Sequence, residues 1–145
     1  MSHSTRFTVC LRLLSEIAQA RPKLMTSTAL AEKTGAHPVV IRRLLSRLAK
    51  AGLTQATPGK DGGARLALAP KRLSLRAVYE AVEDSALIAR PPALSPENAA
   101  GACPLDPAID RACRKAEKAF LKALDAMTLK DVLTKSAETA PDRAA

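Results

Sequence analysis

The stretch from Ser27 to Leu68 restricts this fold most, because glycines and prolines there punctuate two short helical patterns and one hairpin at tight intervals. Ser27 reads as the N-cap of a helix reaching about Thr34, with Leu30 and Ala31 turned inward. Gly35 supplies a turn. His37-Pro38 then opens a second helix, since a proline at the first helical position gives up only an N–H that has no intrahelical partner. This helix runs to about Ala51 and stops at Gly52. Ile41, Leu44, Leu45 and Leu48 form its apolar stripe. Arg43, Arg47 and Lys50 line another face, with Arg42 and Ser46 beside it. Two helices joined by a tight glycine turn, the second basic on its exposed side, make a helix-turn-helix pattern.

The residues that follow sharpen this reading. Leu53 to Thr57 can form a strand, Pro58 to Gly63 a turn-rich tip, and Ala64 to Leu68 a returning strand. The hairpin carries Lys60 at its tip and Arg65 on its return strand. Taken alone it is an ordinary hairpin whose glycines permit positive φ; placed directly after a basic second helix it reads as a wing.

The flanks read as helices. Phe7, Cys10, Leu11, Leu14, Ile17 and Ala18 give helical spacing over residues 5–20, closed by Arg21-Pro22. A helix with Ser74 as a cap runs through Glu83, with Val78, Tyr79 and Val82 apolar. Residues 84–107 hold five of the ten prolines and read as a loop or linker. A long helix is expected from about Ala108 to Met127, with Ile109, Ala112, Cys113, Ala116, Phe120, Ala123, Leu124 and Met127 as its stripe. Thr128 with Asp131 resembles a capping box for a short last helix. The expected organisation is a DNA-binding unit over 1–83, a Pro-rich loop over 84–107, helices over 108–136, and a flexible tail over 137–145.

Charge divides along the same line. Residues 1–72 hold 13 Lys or Arg against 3 Asp or Glu, a balance of +10, whereas residues 73–145 are close to neutral at −1. A one-sided basic module fits a polyanion partner, although a solvated basic surface gives the same count. With no Trp, one Tyr and two Phe, the chain has few platforms for stacking single-stranded bases. Three cysteines, Cys10, Cys103 and Cys113, without an apolar leader argue against a secreted disulfide scaffold, and no apolar run nears the ~20 residues of a membrane span. A cytoplasmic protein with no membrane partner is expected.

Several segments together carry a family resemblance. They are Gly35-Ala36-His37-Pro38-Val39-Val40-Ile41-Arg42-Arg43, Ala51-Gly52-Leu53, the Gly62-Gly63 wing, Leu73-Ser74-Leu75-Arg76-Ala77-Val78-Tyr79-Glu80-Ala81-Val82-Glu83, Cys103-Pro104 and Thr128-Leu129-Lys130-Asp131-Val132. They resemble the BadM/Rrf-two family of bacterial regulators. Two positions depart from the family pattern: Pro58 stands where an arginine often precedes the wing glycine, and Ala64 where an aromatic often follows the glycine pair. The resemblance implies a mainly α fold with a small β-hairpin wing: a winged helix-turn-helix plus a long C-terminal dimerisation helix. It implies a homodimer on a pseudo-palindromic double-stranded DNA operator.

In such a fold the start of the second helix enters the major groove, making His37, Val39, Arg42 and Arg43 the base-reading candidates. Val39 or Val40 would meet a thymine methyl. Thr26, Ser27 and Thr28 would hold a phosphate. Arg47 and Lys50 would touch phosphate or solvent, and Lys60 and Arg65 would act from the wing. His37 reads equally as a helix cap.

The family includes iron–sulfur sensors, but only Cys103 and Cys113 stand near the expected loop, short of a usual four-ligand set, and Cys10 sits on an apolar face. No cofactor is expected, with a cluster on Cys103 and Cys113 as the weaker alternative. A thiol switch at that pair stands against plain packing of Cys113. No enzyme motif is present: no Walker loop, GxSxG, HExxH or CxxC. A winged helix for RNA or for protein partners is the remaining rival.

Overall fold

A computed structural model describes residues 5–59, 61–85, 87–88 and 106–139. Lys60, Cys103 and most of the Pro-rich segment lie outside them. The element order is α1 (Arg6–Gln19), α2 (Ser27–Thr34), α3 (Pro38–Lys50), β1 (Thr54–Thr57), β2 (Gly63–Leu66), α4 (Leu75–Val82), α5 (Asp106–Asp125) and α6 (Leu129–Thr139).

The core gathers one stripe from each helix of the first half. Leu13, Leu14 and Ile17 of α1, Leu30 of α2, Ile41 and Leu48 of α3, and Val78 and Val82 of α4 are fully buried, joined by Leu73 and Leu129. The end of α3 is a Schellman closure. The N–H of Leu53 donates to the carbonyl of Leu48, that of Gly52 donates to Ala49, and Gly52 sits at φ 72°. Leu48 and Leu53 are both buried, so the chain leaves α3 pointing directly into β1.

β1 and β2 pair antiparallel in the register Thr54–Leu66, Gln55–Arg65, Ala56–Ala64 and Thr57–Gly63. The residue before the cap position of α2 joins them: Met25 and Ala64 exchange backbone hydrogen bonds of 3.1 and 2.8 Å. Gly63 is fitted to this approach, since a Cβ there would lie 2.8 Å from the Met25 carbonyl oxygen. A second bridge, Ser74 with Thr128, ties the start of α4 to the start of α6.

All three aromatic rings of the chain form one run. Phe7 meets Tyr79 edge-on at 5.6 Å and Tyr79 meets Phe120 at 5.1 Å, joining α1, α4 and α5. Beyond that contact and Leu124, α5 leaves much of its apolar stripe outside, with Ile109 54% exposed.

Several boundaries differ from the sequence expectation. Thr26, not Ser27, caps α2, its hydroxyl accepting from the Ala29 N–H at 3.2 Å. The long helix starts at Asp106 and takes in Pro107, shortening the expected loop, and it ends at Asp125 rather than Met127. The last helix reaches Thr139, so residues 137–139 belong to α6 and not to the expected tail. The returning strand stops at Leu66.

Candidate nucleic-acid interface

Burial of Ile41, Leu44 and Leu48 fixes the rotation of α3 and turns Val39, Arg42, Arg43, Ser46 and Lys50 to solvent. Val39 and Val40 are 45% and 43% exposed, an unusual placement for branched apolar side chains at a helix start. Among the described residues Arg42, Arg43 and Lys50 make no ion pair, which leaves three cations of one helix open to an external anion.

His37 is a cap. Its Nδ1 accepts the Val39 N–H at 3.2 Å while the ring stays exposed. Thr26 is likewise a cap; Ser27 is half-buried and Thr28 exposed beside it. These three residues lie at the start of α2, where free N–H groups and the helix dipole favour an anion.

The hairpin stands alongside α3, and an open cleft of about 630 Å³ runs between them. Ser27 borders it, as do Arg42, Ser46 and Lys50 from α3 and Thr57 and Gly63 from the strands. The structure thus brings Ser27, Arg42 and Lys50 to one concave surface. Arg65 is exposed on the hairpin, and its Nε donates to the Oε1 of Gln55 directly across the ladder at 3.0 Å. Lys60 lies outside the described residues.

Arg47 departs from the rest of the helix. Its guanidinium grips Asp84 through two bonds, Nη1 to Oδ1 at 2.6 Å and Nη2 to Oδ2 at 2.8 Å, and Nη1 also donates to the Val82 carbonyl at 3.2 Å. Arg6 of α1 shares both acceptors, at 3.0 Å to Asp84 and 3.3 Å to Val82. Arg47 therefore ties α3 to the end of α4, whereas the sequence reading placed it with the solvent-facing cations. The sequence reading missed Asp84 and Arg6, and no local signal marks them: 37 residues separate Arg47 from its acceptor.

The cysteines are dispersed. Cys10 is fully buried in the core and Cys113 half-buried on α5. Among the described residues no three His, Cys, Asp or Glu side chains are grouped to hold a metal, and Cys10 is sealed away from any shared site. The described thiols do not fit a cluster ligand set. Arg114, the residue after Cys113, is paired with Asp110.

With this geometry in place, comparison with known proteins decides the family. Residues 3–135 match the Rrf2 family, described as an iron-dependent transcriptional regulator. The chain belongs to the Rrf2 family. The HTH-type transcriptional regulator NsrR of Halalkalibacterium halodurans is 30% identical over 131 residues, covering 88% of this chain and 87% of that protein. Solved structures share the fold, and two of them serve as examples. T. potens IscR has a TM-score of 0.70 at 21% identity over 99% of this chain and 94% of its own. CymR, the global cysteine regulator of B. subtilis, has a TM-score of 0.69 at 19% identity over 93% and 98%. This Rrf2 protein is accordingly a DNA-binding transcriptional regulator whose hairpin is the wing of a winged helix. Among the described residues no helix is long and apolar enough to cross a membrane.

Proposed function

We propose that the chain is a sequence-specific regulator, acting as a repressor in the cytoplasm, that binds a pseudo-palindromic double-stranded operator as a homodimer through its first 83 residues. One observation carries this reading: α3 buries Ile41, Leu44 and Leu48 and turns Val39, Arg42, Arg43 and Lys50 outward beside a hairpin, and among the described residues the three cations have no ion-pair partner. Arg42 and Arg43 supply bidentate donors for guanine, and Val39 and Val40 apolar contact for a thymine methyl. Thr26, Ser27 and Thr28 at the α2 start and Lys60 and Arg65 of the wing bind the backbone, and His37 at the α3 start faces the major groove with Arg42 and Arg43. The apolar side of α5, with Ile109 exposed, supplies the dimer contact. Selection from random duplex DNA tests the reading. The expected product is an inverted repeat with half-sites about one helical turn apart; an unenriched pool refutes it.

The signal-sensing part of the proposal is thiol oxidation at Cys103 and Cys113. Cys113 is the less buried of the two described thiols. Peroxide would accept two electrons and two protons from the pair, forming a disulfide and two waters. Mass spectrometry after mild peroxide is expected to show a loss of two hydrogens together with altered DNA binding; two unmodified thiols with unaltered binding refute it.

A further inference from the structure

The row of cations on α3 is interrupted by a carboxylate from elsewhere in the chain. Arg43 and Arg47 lie four residues apart, so they share one ridge of the helix. Among the described residues Arg43 has no ion-pair partner, whereas Arg47 spends both terminal nitrogens on Asp84 and one of them also on Val82. Asp84 is held in turn by Arg6. The arrangement is accessible: the side chains of Arg47 and Asp84 are 37% and 60% exposed. A pair this exposed is only weakly favourable in water, so it exchanges readily for another anion once the carboxylate is moved or neutralised.

We propose that Asp84 is a positioning residue that withholds Arg47 from DNA, so that α3 carries a latent phosphate contact released when this carboxylate is displaced. The inference rests on the DNA-binding reading above. Geometry supplies the rest. A guanidinium bound bidentate to a carboxylate has its best donor edge occupied and cannot also present that edge to a phosphate. Asp84 follows the C-cap of α4, at the point where the chain enters the Pro-rich segment leading to Cys103. The same carboxylate also places a negative charge beside the DNA-facing ridge, so its displacement both frees a cation and removes a repulsion.

The test is the salt dependence of duplex binding, which counts phosphate contacts: each one adds about 0.9 to the slope of log K against log salt. The probes are a duplex selected by the wild-type protein from random DNA and a scrambled duplex of equal composition, with thermal melts of every variant. Asp84→Asn is expected to steepen the slope by about 0.9 for each Arg47 engaged, on both duplexes. Arg47→Gln alone is expected to leave the slope at the wild-type value, and the double variant Asp84→Asn/Arg47→Gln to return to it. Glu80→Gln, which removes a carboxylate paired with Arg76 instead, is expected to change nothing. A merely structural salt bridge moves the melting temperature and not the slope. An unchanged slope in Asp84→Asn, a steepening that survives in the double variant, or an equal effect of Glu80→Gln overturns the proposal. Wild-type protein that binds neither duplex fails the DNA-binding reading itself.

Discussion

Both oxygens of the Asp84 carboxylate accept from the Arg47 guanidinium, at 2.6 and 2.8 Å, which fastens the outward helix α3 to the residue just past the end of α4. The hydrogen bond from Arg47 is the main reason the Asp84 carboxyl is held below its ordinary range. Desolvation opposes it, and the positive charges of Arg47 and Arg6 assist. A carboxyl depressed in the folded state contributes stability above its unfolded value of about 3.9 and loses it as pH falls through the lower folded value. Melting temperatures of wild type and Asp84→Asn are therefore expected to differ above pH 5 and to converge as the pH drops below 4. A constant gap down to pH 2 contradicts the assignment.

Arg43→Ala is expected to weaken operator binding by about 1–3 kcal/mol, the range for a base-reading arginine. The residue is exposed and has no ion-pair partner among the described residues, so the melting temperature of the variant stays near wild type. Unchanged affinity at fixed salt would remove α3 as the docking face.

Tyr79→Leu keeps apolar bulk on α4 but loses both edge-on ring contacts, to Phe7 and to Phe120. At about 0.5–1.5 kcal/mol per aromatic pair, a loss of about 1–3 kcal/mol is expected in urea unfolding. A variant as stable as wild type would show that the aromatic run does not hold α5 to the rest of the fold.

Gly63→Ala places a methyl 2.8 Å from the Met25 carbonyl oxygen, a backbone atom with no flexible end to yield. Overpacking of this kind costs about 1–3 kcal/mol and loosens the bridge between the wing and the start of α2. Hydrogen exchange at the Ala64 and Met25 amides reads that loosening directly; unchanged protection would contradict it.

Cys10 is pushed up to about 12, chiefly by burial, with Glu83 adding to the rise and Arg47 opposing it. Alkylation depends on the thiolate. Cys10 is thus expected to stay unmodified by iodoacetamide in native protein at pH 8 and to react fully in denaturant. Labelling under native conditions would show that the core around α1 opens.

Patterning made much of the fold legible. The spacing of Ile41, Leu44 and Leu48 defines α3, and Gly52 closes it with the left-handed conformation that glycine favours. The cap of α2 was displaced by one residue because Thr26, Ser27 and Thr28 all carry a hydroxyl suited to capping. The choice follows from the Met25–Ala64 bridge, a tertiary contact that fixes where the extended chain ends. The sequence pattern alone starts α5 two residues late because Pro107 reads as a breaker, although a proline is well tolerated in the first turn and Asp106 complements the helix dipole there. For the interface, helical periodicity was enough to turn Arg42 and Arg43 outward. It could not show that Arg47 is taken by Asp84, because that contact depends on how α4 packs against α3.

Competition binding tests the central claim most directly. Labelled selected operator duplex is challenged, at one fixed salt concentration, with unlabelled operator, scrambled DNA duplex and duplex RNA of the same sequence. A regulator reading base edges through α3 prefers the operator by about 10³-fold or more over the scrambled duplex. Equal competition by all three would mean that the basic face of α3 senses only charge, and the account of its function would be wrong.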